Sequence, residues 1–119
     1  MRLTIYHNPR CSKSRGTLQL LQESGVEYVV VEYLGEPPTA ARILQLATLL
    51  GVPVADLLRQ SEDEYTTAQD LPDIEDDDAL ATWIERNPKV LQRPIIVDDD
   101  ANLAVVGRPP ENVLELIGQ

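Results

Sequence analysis

Residues 3–33 read LTIYHNPRCSKSRGTLQLLQESGVEYVVVEY, and three elements are legible in them. Leu3-Thr4-Ile5-Tyr6 is a short apolar run and predicts a first strand. His7-Asn8-Pro9-Arg10 reads as a loop, with Asn-Pro as the breaker. From Cys11 or Ser12 the pattern predicts a helix through Leu18 and Leu21, stopped at Gly25 by a residue that tolerates a left-handed backbone. Residues 28–33, with Val29-Val30-Val31 inside, predict a second strand. Strand, loop, helix and strand in that order favour a parallel pair joined by a right-handed crossover.

Downstream, Thr39 follows Pro37-Pro38 and suits the N-cap of a second helix. Ala40, Ile43, Ala47 and Leu50 share one face of it, with Leu44 and Leu46 beside them, and Gly51 ends it. Residues 53–58 form a shorter helix that stops near Arg59, and residues 60–73 read as a polar loop. Asp76-Asp77-Asp78 caps a further helix with Leu80, Trp83 and Ile84 inward, closed by Asn87-Pro88. Pro94-Ile95-Ile96-Val97 is a third strand. Residues 98–102 form a turn and Leu103-Ala104-Val105-Val106 a fourth strand, giving an antiparallel hairpin. Gly107-Arg108-Pro109 breaks it, and a last helix uses Val113, Leu116 and Ile117. This order resembles the thioredoxin-like arrangement: an α/β fold with a four-stranded mixed sheet. A helical insert separates its β-α-β and β-β-α halves, all in one domain over residues 1–119.

The chain has 119 residues and a net charge of −10, with 43 % apolar and 25 % charged residues. That is the make-up of a single globular domain able to bury a core without staples. No apolar run approaches a membrane span, and the N-terminus is polar by residue 7, so no membrane association and a cytoplasmic location are expected. One cysteine and one histidine exclude an internal disulfide and a cysteine-rich zinc site, and no metal is expected. The acidic balance speaks against nucleic acid as a partner. The charge is uneven: residues 1–22 carry Arg2, Arg10, Lys13 and Arg15 and no acid, a charge of +4, so the remainder carries −14.

The only cysteine lies in that cationic segment, at the expected start of the first helix. A helix N-terminus favours an anion through its open N–H groups and dipole. The nucleophile is the thiolate, and an ordinary thiol is only about 3 % ionised at pH 7. Arg10, Lys13, Arg15 and His7 are candidates to raise that fraction, and Ser12 and Ser14 to donate to the sulfur. Burial as a small hydrophobe fits poorly beside Arg10, Ser12, Lys13 and Ser14. With no second thiol, an oxidised intermediate must be resolved from outside. The site also suits an oxyanion. A phosphatase loop with Cys-x5-Arg spacing is disfavoured, because Thr17 stands where the arginine belongs. Arg59, Arg93 and Arg108 each fall at an element end, where sites are built. Arg93 and Arg108 precede prolines, so either bond can be cis.

The segment His7-Asn8-Pro9-Arg10-Cys11-Ser12-Lys13-Ser14-Arg15 resembles the active-site loop of the glutaredoxin-coupled arsenate reductases. Tyr33-Leu34, Pro37-Pro38-Thr39, Leu57-Leu58-Arg59, Arg93-Pro94-Ile95 and Gly107-Arg108-Pro109-Pro110-Glu111 match further landmarks in order. The resemblance implies an enzyme of arsenical resistance in which Cys11 attacks arsenate and forms a thiol-arsenate adduct. It implies that Arg59, Arg93 and Arg108 hold the oxyanion, and that His7, Ser14 and Arg15 tune the thiol. It further implies glutathione as co-substrate, glutaredoxin as partner, no bound cofactor and a cis Pro94.

Two other readings fit the same residues. A general glutathione/glutaredoxin-type thiol oxidoreductase would need Cys11 but not all three arginines. A non-enzymatic redox-sensing regulator of the same superfamily often uses a Cys-x-x-Cys switch, which Ser14 removes here.

Overall fold

The computed structural model describes residues 1–118. In chain order they form β1 (Leu3–His7), α1 (Ser12–Ser24), β2 (Tyr28–Glu32), α2 (Ala40–Leu50), α3 (Asp63–Thr66) and α4 (Asp77–Arg86). β3 (Ile95–Asp98), β4 (Leu103–Val106) and α5 (Leu114–Ile117) follow. Two units result: Met1–Tyr33 with the chain from Arg93 onward, and Leu34–Gln92.

The first unit holds the sheet, in the order β2-β1-β3-β4. β1 runs parallel to β2 and antiparallel to β3, and β3 pairs antiparallel with β4. This is the four-stranded mixed sheet of the thioredoxin-like arrangement. Its core joins Leu3 and Ile5 of β1, Ile96 of β3, Leu21 of α1, and Val113 and Leu116 near the end of the chain. Period-2 spacing on β1 puts Leu3 and Ile5 on one face, and helical spacing from Leu21 brings Leu18 beside them. Gly25 ends α1 at φ 73°, where a side chain would be strained.

Asp98 closes β3 and orders the turn after it. Its Oδ1 accepts the N–H groups of Arg2, Asp100 and Ala101 at 3.3, 3.1 and 3.3 Å. Burial pushes this carboxyl up, but those three N–H groups and the chain's amino terminus pull it below the usual carboxylate value. A lowered acid pKa stabilises the fold above the unfolded-state value, and the gain is lost as pH falls through the folded value. Asp98→Ala is expected to cost about 1–3 kcal/mol at neutral pH, with the deficit shrinking in acid. Urea unfolding at both pH values reads this, and an equal deficit at each would rule out the charged carboxylate as its source.

The second unit is the helical insert. Thr39 caps α2 by accepting the Arg42 N–H, and Asp76 caps α4 by accepting that of Ala79. α2 and α4 pack together, burying Ile43, Leu46 and Ala47 on one and Leu80, Ala81, Trp83 and Ile84 on the other. Trp83 Nε1 donates to Asp70 at 3.1 Å.

Several local expectations are corrected. His7 is the last residue of β1 and not a loop residue, because it extends the parallel register opposite Glu32. The helix expected at 53–58 is one 3₁₀ turn, Val54–Leu57, and the polar stretch after it contains the single turn α3. The final helix is divided, with a 3₁₀ turn at Pro110–Val113 leading into α5.

Candidate active site

Cys11 is the N-cap of α1 and half-buried. The loop before it is tied by Asn8, a role that its place in the Asn-Pro breaker does not signal. The buried Asn8 accepts the Cys11 N–H at its carbonyl, 3.0 Å, and the Arg10 N–H at its side-chain oxygen, 3.0 Å. Asn8 also donates its own N–H to Ser14 Oγ at 3.0 Å.

Burial pushes the Cys11 thiol up. The N–H groups of Ser14 and Lys13 and the guanidinium groups of Arg93 and Arg108 oppose this and leave it below the ordinary thiol value. The sulfur makes no cap hydrogen bond of ordinary length. The helix N–H groups therefore act as nearby dipoles, and Arg108 Nη1 stands 3.6 Å from Sγ. The same nitrogen donates to the Arg93 carbonyl at 3.2 Å. Arg93 is buried, and the Arg93–Pro94 and Arg108–Pro109 bonds are both cis.

The structure thus brings Cys11, Arg93 and Arg108 together in the first unit. It does so at the start of a helix, where an oxyanion meets both N–H donors and guanidinium forks. The charge that reaches the sulfur comes from arginines distant in sequence. The neighbouring Arg10 is exposed, and Arg15 donates from Nη1 to the Pro9 carbonyl at 3.0 Å. Arg59 belongs to the second unit, where its guanidinium meets Glu62 Oε2 and Gln92 Oε1, each at 3.4 Å.

Ser14 does not turn its hydroxyl to the sulfur as expected. Its Oγ is engaged instead with His7 Nδ1 at 2.6 Å and accepts the Asn8 N–H. Burial lowers the His7 pKa from its ordinary 6.5; Glu32 raises it and Arg15 lowers it, and the net direction is down. The unfolded chain therefore binds the proton first, and stability falls as pH drops through that ordinary value. His7→Gln is expected to flatten this limb. Unfolding free energies measured across it test the point, and an unchanged slope in the variant would assign the limb elsewhere.

Among the described residues, no three of His, Cys, Asp and Glu cluster to hold a metal ion. No helix among them is long and apolar enough to cross a membrane.

Residues 6–116 match the model of the ArsC family. The chain is 48 % identical over 115 residues to the "Uncharacterized protein YfgD" of Escherichia coli K12, covering 96 % of this chain and 95 % of that one. It is 41 % identical over 113 residues to an arsenate reductase of Neisseria meningitidis serogroup A, covering 93 % and 94 %. Among solved structures, an arsenate reductase from Vibrio cholerae superposes with a TM-score of 0.83 at 39 % identity, over 97 % of each chain.

Proposed function

The chain belongs to the ArsC family, and from that premise we propose that it reduces arsenate to arsenite through a covalent adduct on Cys11. The observation that carries this reading is the Arg108 guanidinium on the Cys11 sulfur at the start of α1. A nucleophile and an oxyanion cradle occupy one place there. The lowered thiol carries a larger thiolate fraction than an ordinary cysteine, and Arg93 and Arg108 neutralise the oxygens of the incoming anion. For Arg59 the same role rests on family resemblance alone.

The Cys11 sulfur bonds to arsenic, and one arsenate oxygen leaves as water after protonation. Reduction of arsenic from +5 to +3 then needs two electrons. The chain has one cysteine, so no internal disulfide can form and two outside thiols must be oxidised. In the proposed sequence glutathione adds its sulfur to arsenic with loss of water. Glutaredoxin then takes the glutathione sulfur as a mixed disulfide, leaving the electron pair on arsenic. Water finally displaces arsenite and frees Cys11. Glutathione is thus a co-substrate and not a bound cofactor, and the cytoplasm is the compartment that keeps such thiols reduced.

The test is a coupled assay with arsenate, glutathione, glutaredoxin, glutathione reductase and NADPH. Arsenate-dependent NADPH oxidation is expected. Its absence, with Cys11 still exchanging with glutathione disulfide, would make the protein a general thiol oxidoreductase instead.

A further inference from the structure

Arg108 reaches the sulfur from the turn between β4 and the C-terminal 3₁₀ turn, so whatever fixes that turn fixes the guanidinium. The Gly107 N–H donates to the Pro94 carbonyl at 2.9 Å. On its other side stands Thr17, fully buried on α1. The Thr17 hydroxyl has one proton and two acceptors in reach, the Lys13 carbonyl of its own helix at 2.9 Å and the Gly107 carbonyl at 3.4 Å. The turn lies flush against this side chain. A Cβ on Gly107 would collide with Thr17 Oγ1 and stand 2.8 Å from Pro94 Cγ. Five residues beyond Gly107, Asn112 donates from Nδ2 to the Val106 carbonyl at 3.1 Å and to the Arg108 carbonyl at 3.3 Å.

We propose that Thr17 and Asn112 are positioning residues: they clamp the turn over residues 106–108 from two sides and so hold the Arg108 guanidinium over the Cys11 sulfur. Each acts through the backbone that carries Arg108. Thr17 packs the helix bearing the nucleophile against the turn bearing its cation, with its one proton shared between the nearer Lys13 carbonyl and the longer Gly107 contact. A small displacement of that turn opens the 3.6 Å contact, and a lost guanidinium contact favours the neutral thiol. The inference rests on Cys11 being the reacting thiol.

The experiment uses the full chain and no arsenate. The rate of Cys11 alkylation by iodoacetamide is followed against pH in wild type, Thr17→Val, Thr17→Ser and Asn112→Ala, with thermal melting of each. In this reaction the thiolate displaces iodide from carbon, so the rate reports the thiolate fraction. Thr17→Val keeps the shape and removes the hydroxyl. It is expected to shift the profile to higher pH and slow the neutral-pH rate about threefold or more, and Asn112→Ala to do the same. Thr17→Ser keeps the hydroxyl and is expected to titrate as wild type. A folded Thr17→Val with the wild-type profile, or a Thr17→Ser shifted as far as Thr17→Val, overturns the proposal. Should Thr17→Val fail to melt cooperatively, Asn112→Ala decides: a shift supports the clamp and an unshifted profile overturns it. Because the readout is alkylation, failure of the arsenate assay leaves this result independent.

Discussion

Cys11→Ser is expected to bring arsenate-dependent NADPH oxidation down to background, a fall of more than about a thousandfold. A serine hydroxyl ionises far less readily than a thiol and is a weaker nucleophile, so no attack on arsenate begins. The same replacement should leave the fold intact or firmer. Cys11 is an N-cap without a side-chain cap bond, and serine is among the preferred N-cap residues, a change of up to about 1 kcal/mol in favour of the folded state. Loss of activity with equal or higher melting temperature separates chemistry from folding. Residual turnover above background in a verified Cys11→Ser preparation would remove Cys11 as the nucleophile.

Arg108→Ala is expected to lower turnover by about 10²–10³-fold, the cost of deleting one well-placed donor to a developing anion. The thiol should also move toward its ordinary value, because a cation beside the sulfur is gone, and the alkylation profile should shift to higher pH. Arg108→Lys should recover little of either. Nη1 serves the Arg93 carbonyl and the Cys11 sulfur, and a lysine ammonium that took both contacts has no second nitrogen with which to hold an oxyanion. Steady-state rates and the alkylation profile check both expectations. If Arg108→Lys equals wild type in each, charge alone suffices and the fork has no role.

Much of this architecture is local and was legible for that reason. Gly25 and Gly51 stop helices because only a left-handed backbone fits there, and Thr39 and Asp76 cap helices with their own side chains. The β-branched runs at Val29-Val30-Val31 and Ile95-Ile96-Val97 pair as the β-α-β and β-β order requires. Long-range wiring was not legible. The arginines adjacent to Cys11 in sequence looked like the source of its activation, yet Arg93 and Arg108 supply the guanidinium contacts. Ser14 looked like a donor to sulfur until β1 placed His7 within 2.6 Å of it. Thr17 had served only to disfavour a phosphatase loop. Its bond to Gly107 spans 90 positions, which no periodicity reports. Asn112 carries no sequence signal of its own, because its partners are the carbonyls of Val106 and Arg108, which only the folded turn brings to it.

That separation has a consequence for biosynthesis. Arg108 leaves the ribosome 97 residues after Cys11, a delay of roughly 5–20 s at ordinary elongation speeds. β1 likewise waits for β3 before its antiparallel side is paired. Through most of translation the emerging cysteine lacks both distant guanidinium groups and has closer to the reactivity of a free amino acid. Reactivity is switched on when the sheet closes, so an unfinished chain does not carry the site's full activation among the oxidants and electrophiles of the cell.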